Sequence, residues 1–352
     1  MNFNNFPIGP DDCGRRLDRI VRKFLPDLQI SFIYKNIRTG FIRINNKKQK
    51  QDYILQPSDV INIASLLIQK GKSNPTKKNL EDNQSQNLLV PTILFKNDNF
   101  LAINKPYDVP VQGSSQNDIS LNRIITKLYN PKNFSLTFTP GPLHRLDRRT
   151  TGTLIFSQSL KGAQWFSQAM QNKTITKEYL GLVCGKVTQN HKWIDFIDDS
   201  YHNNNGFRIV RVVDATQEKI SPVAKKAITN IIPLKNTVIE ALGKKIPITL
   251  CKFIIETGRM HQIRAQSAYH GFPLAGDSAY STGIYADIKL RSFGIHDSKN
   301  KEKIPEFLLH AIRLKSPQND LGLPTEIIAP LPTFFKNIIT TYFASLSFKF
   351  IL

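Results

Sequence analysis

Cysteine is scarce in this sequence. The three present, Cys13, Cys184 and Cys251, are odd in number and far apart, so neither a disulfide framework nor a thiolate metal site follows from them. The seven histidines form no HxxxH-type pair and no cluster with cysteine, which leaves no structural zinc motif. A Gly-rich loop ending in Lys-Ser or Lys-Thr is missing, and with it the usual mark of a nucleotide-triphosphate site. So is the His-x-Glu and Cys-x-x-Cys combination of the zinc deaminases. No apolar stretch approaches the roughly 20 residues of a spanning helix. The N-terminus has no basic region followed by an apolar run, the mark of a signal peptide. The apolar tail Tyr342 to Leu352 is short and carries Lys349, so packing on the body is expected of it rather than membrane contact. These absences point to a reduced, cytoplasmic protein with no metal, no nucleotide cofactor and no membrane partner.

Acidic residues are also in short supply. Lys and Arg number 48 against 27 Asp and Glu, a formal net charge of +21. Such an excess suggests a polyanionic partner, most often nucleic acid. A bias toward Lys, Asn and Ile accounts for part of it, but less well for clustered Arg. Hydrophobic residues make up 40% of the 352, which fits a globular chain of two domains, the larger with a full core.

Residues 11–64 read as a compact unit. Leu17, Ile20, Val21, Phe24 and Leu25 fall on one helix face, with Asp11 or Asp12 as candidate caps and Pro26 as the stop. A second helix is expected from Ser31 to Gly40, then strands at Phe41–Ile44 and Val60–Ile63. Between residues 15 and 59 eleven Lys and Arg face four Asp. Such a face is either solvated or laid along phosphates. Residues 65–90, above all the polar run 69–88, have the composition of a flexible linker. The second domain, 91–340, opens with a hairpin over Thr92–Phe95 and Phe100–Ile103, followed by Lys105-Pro106. Helices are expected over Ser120–Tyr129 and Ala163–Met170. Strands are expected over Lys177–Gly185, Thr249–Glu256 and Leu308–Leu314. Loops are expected at 189–206 and 281–303.

The stretch Gly141-Pro-Leu-His-Arg-Leu-Asp-Arg-Arg-Thr-Thr-Gly152 carries the chemistry. Asp147 lies among Arg145, Arg148 and Arg149, which favour its charged form. It sits near a turn and before the apolar strand Thr153–Ser157, with no second acid beside it. A surface ion pair is the ordinary reading of an isolated Arg-Leu-Asp. A lone carboxylate of this kind is otherwise a nucleophile or base rather than an acid.

The full string strongly resembles the His-Arg-Leu-Asp motif of the RluA-type pseudouridine synthases. Lys177-Glu-Tyr179 matches that family's Lys-x-Tyr segment. Gly258-Arg-Met-His-Gln-Ile-Arg264 with Gly276-Asp277 matches its third motif, and Leu309-His-Ala311 its late Leu-His-Ala strand. Two positions depart from the pattern, Met260 for Thr and Gln266 for His, and both are placed to line the approach to the site. The N-terminal unit resembles an S4 RNA-binding domain through Arg16-Leu-Asp-Arg-Ile, Ile42-Arg-Ile-Asn45 and Pro57-Ser-Asp-Val-Ile61. It departs at Phe32 and Asn46.

The resemblance implies an α+β fold: a mixed, mainly antiparallel sheet with flanking helices and a central cleft, plus the small S4-like α/β module. It implies an isomerase that converts uridine to pseudouridine in RNA without cofactor, working as a monomer. Asp147 would be the catalytic residue. Arg264 would pair with it through two parallel bonds of about 2.7–3.2 Å, or through one water. Tyr179 would stack on the uracil, and His144 would order the loop. Arg145, Arg16, Arg19, Arg38, Arg43, Lys47 and Lys105 would contact RNA. Large-subunit ribosomal RNA is the expected substrate. A synthase for transfer RNA and a catalytically silent RNA-binding factor of ribosome assembly stay open beside it.

Overall fold

The computed structural model describes residues 2–71, 90–113, 119–129, 135–200, 209–213, 223–241, 243–293 and 305–344. Contacts divide it into two compact units. The first comprises Met1–Val90 together with Ile124–Gly141 and Ser157–Gln164. Its N-terminal elements are β1 (Phe3–Pro7), α1 (Leu17–Phe24), α2 (Ile30–Thr39), β2 (Ile42–Ile44), β3 (Val60–Ala64) and α3 (Ser65–Gly71). The strands form an antiparallel sheet in the order β1-β3-β2. Leu17, Ile20 and Val21 of α1 and Ile33 and Ile37 of α2 bury their spaced apolar faces against Ile42, Ile44, Ile61 and Ile63. Gly40 ends α2 at φ 84, a left-handed cap that costs glycine little. Asn45 and Asn46 turn the chain at φ 49 and 63, where asparagine tolerates the left-handed conformation better than most residues.

Three details differ from the sequence reading. Strand β1 was not expected, because its mostly exposed polar residues give no apolar alternation; it is held by backbone pairing to β3. Asp11 and Asp12 do not cap α1, whose N-cap is Arg16 without a side-chain bond. Asp12 is fully buried and accepts hydrogen bonds from Ser135 Oγ (3.0 Å), Leu136 N (2.7 Å) and Thr137 Oγ1 (2.8 Å). Asp11 accepts one from Leu160 N at 3.0 Å. Residues 65–71, assigned to the linker, form α3, with Leu67 in the core. The rest of that segment, 72–89, lies outside the described residues.

The second unit comprises Pro91–Arg123, Pro142–Phe156 and Trp165–Leu352. Along the chain from residue 91 come β4 (Thr92–Lys96), β5 (Phe100–Lys105), α4 (Leu121–Leu128, from Ile124 counted with the first unit), β6 (Thr151–Ser157), α5 (Leu160–Gln171, up to Gln164 counted with the first unit), β7 (Thr176–Cys184), β8 (His191–Asp198) and β9 (Arg211–Val213). They are followed by β10 (Lys225–Ala241), β11 (Lys244–Ile255), α6 (Gln262–Tyr269), β12 (Leu309–Lys315), β13 (Glu326–Ile328) and α7 (Thr333–Tyr342). One sheet runs β4-β5-β6-β12-β7-β11-β10-β8-β9, with β13 on β12. Pairing is parallel between β6 and β12 and antiparallel along β12-β7-β11-β10-β8-β9. The fold is therefore α+β with a mixed, mainly antiparallel sheet. Phe335, Ile338 and Ile339 of α7 pack on Leu180, Leu182, Ile248 and Leu250. Phe166 and Ala169 of α5 pack with Phe100, Ala102 and Ile155.

Again the differences are local. The loop expected at 189–206 begins with β8, whose residues alternate between buried and exposed from Trp193 to Ile197. Most of what remains of that stretch, 201–206, lies outside the described residues. Gly283–Asp287 and Leu290–Phe293 form short 3-10 turns where loop was expected. Helix α6 starts at Gln262, after the third motif has opened, because His261 stands at φ 52. Among the described residues no helix is long and apolar enough to cross a membrane, and no group of three or more His, Cys, Asp or Glu is placed to hold a metal ion.

Candidate active site

The loop 144–150 is fastened on both sides. Before it, Leu143 N donates to Ile155 O at 2.8 Å, and Ile155 N donates to His144 Nε2 at 3.2 Å. Burial, with the charge of Lys177 adding to it, lowers the His144 pKa to about 3. His144 is thus a neutral acceptor that orders the loop. After it, Thr150 N donates to Asp147 O at 3.1 Å, closing a turn. Gly152 then enters β6 at φ 112, where a Cβ would overlap the Ala311 carbonyl of β12.

Three of the four bases around this loop are already engaged. Arg148 pairs with Asp108 at 2.8 Å, and Arg149 with Glu306. Lys105, expected to contact RNA, is 1% exposed and cannot reach a phosphate. Its Nζ donates to Arg148 O at 2.8 Å and Pro106 O at 3.0 Å, pinning the loop from beneath. Burial lowers its pKa to about 7, against the pull of Asp147 and Asp108. Arg145 alone is exposed and lacks an acidic partner among the described residues.

Asp147 lines a pocket with Arg145, Tyr179, His261 and Arg264. Its side chain is 23% exposed, and among the described residues its carboxylate accepts no hydrogen bond. Arg264 Nη1 stands 4.0 Å from Oδ2, and His261 Nε2 stands 4.0 Å from Oδ1. The two-bond fork expected between Arg264 and Asp147 is therefore absent. Arg264 Nε and Nη2 grip Asp277 instead, at 2.7 and 2.8 Å. The physical reason is burial: Asp277 is 1% exposed, and a carboxylate there needs full pairing. The outer Nη1 is what remains for Asp147.

The guanidinium lies between the rings of Tyr280 and Phe307, 4.9 and 4.6 Å from their centroids. Burial opposes its charge, but the bonds and charge of Asp277, with Asp147 behind them, keep its pKa above the ordinary value. His261 is held by Nδ1 to Tyr280 Oη at 2.8 Å. That oxygen also accepts Val210 N at 3.0 Å. Burial, despite Asp147, lowers the His261 pKa.

Strand β7 supplies the other wall. Tyr179 is 5% exposed and lines the pocket; burial first, then Asp147, raises its pKa. Met260 also lines the pocket. Gln266, expected to do so, does not. It is fully buried, donates to Asp195 Oδ2 at 2.6 Å and accepts Thr229 Oγ1 at 2.6 Å. His261, Asp277 and Tyr280 were not picked out as site residues. His261 and Asp277 stand in the quoted motifs and Tyr280 does not, and nothing in a sequence tells which acid an arginine will hold.

On the first unit, Arg19, Arg38 and Lys47 are exposed and none has an acidic partner among the described residues. Arg16 is bound by Asp18 at 2.8 and 3.1 Å. Arg43 donates to Gly40 O at 2.7 Å and covers the Phe3 ring. The RNA contacts expected of Arg16 and Arg43 therefore compete with bonds already made. Replacing Arg19, Arg38 and Lys47 with Gln is expected to weaken RNA binding at low salt. Each lost phosphate contact should flatten the log–log salt dependence by roughly 0.7–0.9. Filter binding across a salt series reads this, and an unchanged slope would remove these three from the interface.

A lone carboxylate facing an arginine and a buried tyrosine, on a mixed sheet, defines a class rather than one enzyme. The family model for RNA pseudouridylate synthase matches residues 99–269. The chain belongs to the RluA-type RNA pseudouridylate synthases, isomerases that act on RNA. A ribosomal large subunit pseudouridine synthase C from Buchnera aphidicola of Acyrthosiphon pisum is 30% identical over 95% of this chain and 96% of its own. The protein of that name from Haemophilus influenzae is 28% identical over 89% of this chain and 87% of its own. Human RNA Pseudouridylate Synthase Domain Containing 1 shares the fold. It superposes with a TM-score of 0.53 at 18% identity, over 72% of this chain and 89% of that one.

Proposed function

We propose that this synthase converts uridines of large-subunit ribosomal RNA to pseudouridine, with Asp147 as the catalytic residue. The observation that carries the assignment is one carboxylate that accepts no hydrogen bond among the described residues, set in a pocket with Tyr179 and the outer edge of Arg264. The ribosomal substrate rests on the names of the relatives. The reaction breaks the N-glycosidic bond, turns the uracil and rejoins it through C5, with no net redox change. Asp147 starts bond cleavage as nucleophile or general base. Arg264, anchored on Asp277, positions that carboxylate, and the Tyr179 ring stacks on the base. A base paired in a helix cannot reach the pocket, so the target nucleotide is flipped out of a loop or bulge.

Arg145 holds the phosphate beside it. The N-terminal unit, on this reading an S4-like module followed by a linker and the catalytic domain, adds Arg19, Arg38 and Lys47 to the RNA surface. The same reading has the enzyme acting as a cytoplasmic monomer, without metal or nucleotide cofactor. Mapping pseudouridine across total RNA from cells with and without the gene tests the substrate. Sites lost only from large-subunit RNA are expected. Sites lost only from transfer RNA would replace the substrate, and no lost site would favour a silent assembly factor.

A further inference from the structure

Lys177 stands two residues before Tyr179 on β7, so both side chains leave the same face of the strand. Both line the pocket that holds Asp147. Lys177 is 7% exposed, yet among the described residues its ammonium has no hydrogen-bond or ion-pair partner. Its Nζ lies against Gly258, where an added Cβ would stand 3.2 Å away, so the missing side chain there makes room for it. Lys105, the other buried lysine of this unit, shows the contrast, since it gives its protons to two carbonyls. The side chain is buried while its Nζ opens on the pocket; a cation so placed, without a protein acceptor, is costly to hold, and burial lowers the Lys177 pKa to about 8. An acceptor brought by the substrate relieves that cost. The exposed Arg145 and Arg259 line the outer part of the same pocket, within reach of a backbone phosphate on this reading. Lys177 lies deeper, with the Tyr179 ring, where the base goes.

We propose that Lys177 donates a hydrogen bond to a carbonyl oxygen of the target uracil and stabilises the negative charge the ring acquires when its glycosidic bond breaks. This rests on the synthase reading. The C1′–N1 bonding pair leaves with the base and spreads over N1, O2 and O4. On rejoining, C5 supplies the pair of the new bond to C1′ and gives up its proton, while N1 takes one up. Lys177 keeps its proton throughout. Removing one preorganised donor of this kind costs about 10²–10³ in rate.

The test uses the full chain with Lys177→Met and Lys177→Arg, and tritium release from RNA labelled at uracil C5. Lys177→Met is expected to lower the single-turnover rate about 100-fold, with RNA affinity within about twofold of wild type. It should melt no lower than wild type, because an unpaired buried charge is removed. Lys177→Arg should regain part of the rate.

The pH profile gives an independent reading. The other titratable or charged groups around Lys177 are His144, Arg145 and Asp147 on the loop, Tyr179 on its own strand, Arg259 and His261 before α6, and Arg264 within it. Wild-type kcat/KM should fall as pH rises past about 8, where the ammonium loses its proton, and the Arg variant should lack that fall. A Met variant with wild-type rate would overturn the proposal. So would weakened binding with a flatter salt slope, which places phosphate on Lys177, or a lowered melting temperature, which makes the residue structural. Wild-type protein that releases no tritium from any RNA would instead overturn the synthase reading beneath it.

Discussion

Asp147→Asn is expected to abolish pseudouridine formation, by about 10³-fold or more, while leaving the protein as stable as wild type. The pairing of these two outcomes comes from the geometry. Asn keeps the size of the side chain and removes its charge and most of its nucleophilicity. The carboxylate makes no hydrogen bond among the described residues, with Arg264 and His261 each 4.0 Å away. Nothing in the fold therefore depends on it, and the change in stability should stay within about 0.5 kcal/mol. RNA affinity should hold or rise, since an acid near phosphates is gone. Tritium release and a thermal melt on the same preparation check both halves. Release at the wild-type rate would remove Asp147 from the chemistry. Lost release with a collapsed melt would make it a structural residue.

Arg264→Met should behave in the opposite way and fail on both counts. Asp277 is 1% exposed and spends both oxygens on Arg264. Breaking a buried pair from one side leaves an uncompensated charge, at a cost of about 3–5 kcal/mol. Activity should fall as well, because Asp147 loses its nearest arginine. The double variant Arg264→Met with Asp277→Leu separates the two effects. Replacing both members of a buried pair by apolar residues is often neutral for stability, so the melt should recover while tritium release stays lost. Recovery of both would show that Arg264 serves only to satisfy Asp277. Arg264→Lys keeps the charge but not the fork, so it is expected to fall between wild type and Met in both measurements.

The contrast between these residues marks what was legible in the sequence. That Asp147, Tyr179 and Arg264 would line one pocket was legible, because each sits in a short string whose local setting, turn, strand or helix start, follows from neighbouring residues. The Arg264 bond was not, because two acids compete for one guanidinium and the outcome depends on their burial. Lys105 shows the same limit in reverse. A lysine before proline reads as a surface base, yet its ammonium is folded inward onto the carbonyls of its own chain. Helices α1 and α2 were legible from their 3.6-residue period. Strand β10 was not, since Pro233 and a register shift between Pro233 and Lys235 interrupt its alternation. Lys177 was visible as a residue, but its lack of partners among the described residues is a property of the packed protein alone.

The N-terminal unit carries a consequence for synthesis. Asp12 is buried at the start of the chain, and the groups that satisfy it, Ser135, Leu136 and Thr137, come more than a hundred residues later. The segment Ser157–Gln164 completes the same unit. During translation the first 71 residues can pair their strands, but the unit is complete only when residue 164 has left the ribosome. At roughly 5–20 residues per second that interval lasts on the order of 5–20 s. Until then Asp11 and Asp12 of this basic segment keep their water, while Asp18 and Asp59 already have partners within it.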